Sequence, residues 1–213
     1  MYATIHNHNL HPLPAVLFRA PAPFGRRPRI DDHEIGDSEL TLFNELLLRL
    51  DLRRQPLARD QLVSAARELA DDTDGSRAPP CIHQRMRRAG AIDLMLRDAA
   101  WRTAEALVAP ARLLVRYVRE GGGVIPDGLP KVGRLDDAIL VDAAWTSLGG
   151  EVSSYLDYCR VRQLERGLGN EAGFGRDEWE LARTAEMRLA SHHRRVGENS
   201  YLDGDRNAGF RIC

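Results

Sequence analysis

The stretch GGGVIPDGLPKVGRLDDAIL, residues 121–140, places five glycines, two prolines and three aspartates between two long apolar patterns of helical period. No helix is expected to run through it. Pro126 and Pro130 lack backbone donors and hold Ile125 and Leu129 in extended conformations. Residues 121–134 are thus a 14-residue connection with neither helical nor strand period, a length that is uncommon inside a compact domain unless the segment is functional or disordered. Val124, Ile125, Leu129 and Val132 are interleaved with the glycines, which lets the segment bury its own side chains and hold a shape. Gly128 and Gly133 are expected to supply positive φ where the chain reverses.

The loop enters the next helix through Leu135-Asp136-Asp137. With Asp136 as N-cap, Leu135 and Leu140 stand at the spacing of a hydrophobic staple. Two carboxylates at that end meet free backbone donors and the positive end of the helix dipole, worth about 0.3–1 kcal/mol per exposed charge. Capping is the commoner use of such aspartates. The functional alternative adds Asp127 and folds the loop back until the three carboxylates converge. Such a group would bind a hard cation, Mg²⁺ or Ca²⁺, or share a proton.

Outward from the loop the chain reads as helical. GDSELTLFNELLLRLDL takes Asp37 or Ser38 as N-cap and sets Leu40, Phe43, Leu47 and Leu50 on one face. ARDQLVSAARELA aligns Leu62, Ala66 and Leu69 and ends in the acidic turn at Asp71, Asp72 and Asp74. A long pattern covers residues 81–120, and Gly90 and Pro110 are expected to break it into two or three helices. After the loop, LDDAILVDAAWTSL stops at Gly149-Gly150, EVSSYLDYCRVRQLERGL forms a further helix ending near Gly169, and DEWELARTAEMRLASHHRR is the last. Residues 1–36 hold Pro12, Pro14, Pro21, Pro23 and Pro28 and show no sustained period, so they read as an extended, partly disordered arm, with Ala15–Phe18 able to dock. The expectation is an all-α fold: a single helical domain of about seven helices over residues 37–213, behind a Pro-rich N-terminal arm.

The totals exclude several classes. A net charge of -1 provides no global field for polyanions, so nucleic-acid binding would need a local patch. Of the 30 basic residues only Lys131 is lysine, a bias that fits high-GC coding. Cys81, Cys159 and Cys213 are an odd number far apart, and the N-terminus lacks the basic start and apolar core of a signal peptide, so reduced cytoplasmic thiols are expected. EALVAPARLLVRYV is interrupted by Pro110, Arg112 and Arg116 and falls short of the roughly 20 apolar residues of a membrane span.

Tyr117, Ile125-Pro126-Asp127, Pro130, Gly133 and Asp136-Asp137 stand in the order and spacing of a known pattern: a helix with a tyrosine, then IPD, P, G and DD leading into another helix. Over residues 105–150 the chain resembles the YkvA-like family, a mostly bacterial helical domain without an established reaction. Where that family usually carries a proline and an aspartate before IPD, this chain has Gly121 and Gly123, so one family carboxylate is missing. The resemblance implies a helical hairpin and singles out the same residues, but supplies no substrate; some family members look membrane-associated.

Other residues have simpler readings. His6, His8, His11 and His33 lack the spacing of a structural zinc site, and His192 and His193 suit a helix C-terminus. Asp203, Asp205 and Asn207 start like a calcium loop, but Ala208 replaces its glycine and the twelfth ligand is missing. Arg85, Arg87 and Arg88, and Arg26, Arg27 and Arg29, form basic patches without interleaved aromatics. Trp101, Trp145 and Trp179 mark the core, and Cys159 has no adjacent histidine to activate it.

The function expected from these residues is an interaction or regulatory module that binds a protein partner through the 121–137 loop, using Tyr117, Asp127, Pro130, Gly133, Asp136 and Asp137. The alternative is a divalent-cation-dependent hydrolase or phosphoryl-transfer enzyme with Asp127, Asp136 and Asp137 as metal ligands. A third is peripheral membrane contact through an amphipathic helix over residues 91–118.

Overall fold

The core is built around the helix that follows the glycine-rich loop. The structure, a computed structural model, describes residues 10–20, 29–30, 32–72, 78–170 and 173–198. Among these the chain is all-α. A short 3-10 helix, Ala15–Phe18, and two antiparallel two-residue strands, β1 (Arg29–Ile30) and β2 (His33–Glu34), precede α1 (Asp37–Leu50), α2 (Arg59–Asp72), α3 (Pro80–Arg97), α4 (Glu105–Glu120), α5 (Leu135–Gly167) and α6 (Arg176–Glu198). No described helix is long and apolar enough to cross a membrane.

In its first three turns α5 is buried nearly all round: Leu135 to Val141 together with Ala143 and Ala144 are covered. A helix apolar on every side can only be central. Yet this one carries Asp136, Asp137 and Asp142 into the core, and the surrounding elements supply partners for them. α3 packs against α4, and α4 against α1. Further along, Trp101, Tyr155 and Tyr158 cluster with ring centroids 5.1–6.2 Å apart, and the Trp101 indole N–H donates to Glu151 at 3.1 Å.

Among the described residues six α-helices stand where about seven were expected, and α5 runs uninterrupted through Gly149-Gly150. The reason is packing. A Cβ on Gly149 would lie 2.8 Å from the indole nitrogen of Trp145, one turn earlier, and Trp145 in turn lies under the guanidinium of Arg88 at 4.0 Å. That glycine makes room for a ring. Likewise Gly90 lies within α3 and Pro110 within α4. Buried Ile82, Arg85, Ala89, Ile92 and Met95 hold α3 to the core across its exposed glycine, and Pro110 forfeits a single backbone bond in an otherwise anchored helix. The break falls instead at residues 98–104, where Asp98 accepts the Ala100 N–H at 3.1 Å and Arg102 takes φ +51°. The 91–118 stretch is therefore not one amphipathic helix.

The described parts of residues 1–36 are docked. Leu13, Leu17 and Ile35 are buried, Gln61 of α2 donates to the Arg19 carbonyl at 2.7 Å, and β1 packs on α2 with Ile30 covered. Pro21, Pro23, Pro28, His6, His8, Arg26, Arg27, Asp74, Cys213 and the Asp203–Asn207 segment lie outside the described residues. The chain divides into two compact units at Arg160/Val161. In the second, α6 starts with Gly175 donating to Glu178 at 2.9 Å and carries Leu181, Met187 and Leu189 exposed.

Candidate functional site

The corner between α4 and α5 is a series of tight turns. Gly121 ends α4 in the left-handed conformation, φ +54°, which stops a helix at low steric cost. Leu129 N–H then reaches the Pro126 carbonyl at 3.0 Å, Gly133 N–H reaches that of Leu129 at 3.0 Å, and Leu135 N–H that of Val132 at 3.0 Å. Of the four interleaved apolar residues expected to be covered, Val124, Ile125 and Val132 are buried and Leu129 is half-buried. The positive φ does not fall at Gly128 or Gly133, as expected, but at Gly121 and Lys131 (φ +67°). Gly133 is required for another reason: a Cβ there would lie 2.4 Å from the Asp127 carbonyl oxygen. Lys131 reaches across to the Ala70 carbonyl at 3.0 Å, satisfying an open acceptor near the end of α2.

Tyr117 and Asp136 form the hub. The tyrosine hydroxyl donates to Asp136 Oδ2 at 2.8 Å and accepts a long bond from the Val124 N–H at 3.4 Å; the Ile125 N–H reaches the same Oδ2 at 3.4 Å. The His33 ring N–H donates to the Val124 carbonyl at 3.2 Å. Gly123 passes so close that a Cβ would stand 2.0 Å from Asp136 Oδ2 and 2.6 Å from the hydroxyl. Only glycine fits that path. Asp136 Oδ1 is buried and has no hydrogen-bond partner among the described residues.

Because α5 begins at Leu135, Asp136 is its second residue and not its N-cap, and the staple reading fails with it. Its carboxylate is turned across to the loop and α4. Asp137, one residue on, accepts from Arg134 Nε at 2.8 Å, while another guanidinium nitrogen of Arg134 donates to the Val118 carbonyl at 2.9 Å. One arginine thus serves the negative end of α4 and the carboxylate at the positive end of α5.

Burial dominates the electrostatics. Asp136 is 1% exposed, and desolvation raises its proton affinity although the Tyr117 hydroxyl and nearby amides pull the other way. Asp137 is pushed up to about 7 by burial and by the Asp136 charge, against the pull of Arg134. The Tyr117 hydroxyl is held far above its ordinary range by burial and by Asp136.

Asp127 stands apart. It is exposed, with its Oδ2 3.2 Å from where a Gly121 Cβ would be. Pro130 is exposed, and its carbonyl accepts the Val132 N–H at 2.7 Å. The corner therefore brings Tyr117, Asp136 and Gly133 into one packed unit, sets Asp137 beside them on Arg134, and leaves Asp127 and Pro130 outside. Among the described residues no three His, Cys, Asp or Glu side chains are gathered to hold a metal ion.

Outside the lock, two cavities border the loop. One of about 260 Å³ lies among Leu42, Phe43 and Leu46 of α1, Leu113 and Tyr117 of α4, and Gly122-Gly123. The other, about 360 Å³, lies on the far side among His33, Glu34, Pro126 and Asp127, and shares Glu39, Gly122, Gly123 and Val124 with the first.

Arg134 was missed in the sequence, and His33 was weighed there only as a zinc ligand. Arg134 was findable, since it stands three residues before Asp137; His33, 91 residues from Val124, left no signal. The basic patch at residues 85–88 proves largely internal, with Arg85 and Arg88 only 3% and 4% exposed. Cys81 and Cys159 are buried and not joined in a disulfide, and burial raises the Cys81 thiol. No family model matches the chain, and no curated protein or solved structure matches it either.

Proposed function

We propose that this protein is an interaction module whose binding surface is the outer face of the 121–137 corner, together with the exposed sides of α1 and α4. The observation that carries this reading is the inward turn of Tyr117, Asp136 and Asp137. The Tyr117 hydroxyl, Asp136 Oδ2 and Asp137 bond to one another, to the loop backbone and to Arg134, which holds the Gly121–Gly123 backbone in one shape between two cavities. A preshaped surface binds without an ordering cost. The partner would be a protein segment with an apolar anchor for the Leu42, Leu46 and Leu113 wall and mixed charge to meet Glu45, Arg49 and Arg116. The resemblance to the YkvA-like family over residues 105–150 supports the choice of corner.

A photo-crosslinking residue at Leu42, 65% exposed on this wall, tests the proposal against the same residue at Leu52, 88% exposed. A discrete protein adduct in cells from position 42 alone is expected. Adducts identical from both positions, or from neither, would remove the reading.

A second reading, a divalent-cation-dependent hydrolase or phosphoryl-transfer enzyme, is favoured by one observation: two adjacent buried carboxylates with raised proton affinity, one holding an unpartnered oxygen. It requires Asp127 to swing inward to Asp136 and Asp137. Thermal unfolding with EDTA, Mg²⁺, Ca²⁺ and Mn²⁺ separates the two readings, since a cation-dependent rise in midpoint that vanishes in Asp127→Asn would favour the enzyme.

A further inference from the structure

A third cavity, of about 630 Å³, lies away from the corner, between the 3-10 helix and the connection from α1 to α2. Its volume is within the range of small-molecule sites, roughly 300–1,000 Å³. The inner wall is apolar and rigid: Leu13, Leu17, Leu47, Leu57 and Ile139 are all buried. The 3-10 helix is held in place as the opposite wall, because the Gln61 side chain donates to the Val16 and Arg19 carbonyls at 3.4 and 2.7 Å. Asn44 braces the connection by exchanging two bonds with the Leu57 backbone at 2.7 and 2.9 Å.

The rim has one sign of charge. Among the described residues Arg19, Arg53 and Arg54 line the cavity and no carboxylate does. Arg54 is matched elsewhere, by Asp142 at 2.7 Å and Asp51 at 3.7 Å, and its guanidinium lies 5.0 Å over the exposed Phe18 ring. Arg19 and Arg53 are different: their guanidinium groups make no hydrogen bond or ion pair among the described residues. Two unmatched cations thus line a cavity with an apolar wall. The corner cavity offers no such arrangement, since its Glu39, Glu45 and Glu120 offset Arg49 and Arg116.

We infer that this cavity binds a small amphiphilic anion, an apolar body capped by a carboxylate or phosphate. The body would displace water from the leucine floor, and the head would take the two free guanidinium groups, which suit planar carboxylate and phosphate recognition. The inference is independent of the corner and of its proposed partner.

Isothermal titration of the full chain with decanoate, decyl phosphate, decanol and decyltrimethylammonium tests it, beside the double variant Arg19→Gln/Arg53→Gln. Both arginines are exposed, so the variant is expected to keep its circular dichroism and unfolding midpoint. The expected result is saturable one-to-one binding of the two anions, at least tenfold weaker binding of decanol, none of the cation, and loss of the anion preference in the variant. Equal binding of decanol, an unchanged variant, no saturable binding, or association with phosphatidylglycerol vesicles in place of the free anions would each overturn it.

Discussion

Two aspartates on the same helix, Asp136 and Asp142, meet the interior in opposite ways. Asp142 accepts from Arg54 at 2.7 Å and from Arg85 at 2.7 and 3.1 Å, so its charge is met by two guanidinium groups. Asp136 has a phenol and a long amide bond, with one oxygen left unpartnered. Burial raises the proton affinity of Asp136 against the pull of the Tyr117 hydroxyl, and raises that of Asp137 together with the Asp136 charge. α5 is thus tied to α3 and the α1–α2 connection by charge, and to the loop by hydrogen bonds and close backbone approach.

The largest effect is expected on the charged side. Asp142→Ala leaves Arg85, 3% exposed, without its anion, and removing one partner of a buried pair costs about 3–5 kcal/mol. Urea unfolding will read it; a loss below that of an ordinary surface change would mean that Arg85 finds water or another acceptor. The corner should differ in the pH dependence of stability. Asp137 holds its proton up to about 7 in the folded chain, against an ordinary value of 3.8. Folding therefore takes up a proton between those values, so this contribution is full below about pH 4 and is lost as pH rises through about 7. Relative to the wild type, Asp137→Asn should flatten the fall in stability over that window, by roughly 2–4 kcal/mol. Parallel curves for the two proteins would show that Asp137 titrates normally.

Backbone approach sharpens the comparison further. Gly123→Ala forces a Cβ to within 2.0 Å of Asp136 Oδ2, and an overpacked site of this kind costs about 1–3 kcal/mol. Gly90→Ala meets nothing within 4 Å inside α3, and should stabilise by about 0.5–1 kcal/mol through helix propensity. If the two substitutions shift the unfolding midpoint alike, the close path of the loop over the Tyr117–Asp136 pair is wrong.

Much of this architecture was legible because it is local. The period-3.6 faces of α1 and α2, and the interleaved Val124, Ile125 and Val132, announce burial within a few residues of each other. What stayed hidden depends on distant partners. Gly149 looked like a stop signal because nothing in the sequence says that Trp145 and Arg88 need its missing side chain. Asp136 looked like a cap because its true partner, Tyr117, lies 19 residues earlier. The pattern of Tyr117, IPD and DD spans this corner, yet spacing alone does not reveal that Asp136 turns inward while Asp127 stays exposed.

The central claim is that Tyr117 and Asp136 hold the loop as one unit, and a double-mutant cycle with Tyr117→Phe and Asp136→Asn tests it most directly. Groups in direct contact show coupling of about 0.5–3 kcal/mol, whereas independent sites add to within about 0.3–0.5 kcal/mol. Urea unfolding of the four proteins should give a coupling in the first range, with each single variant less stable than the parent. Simple additivity would contradict the account and leave Asp136 free for other work.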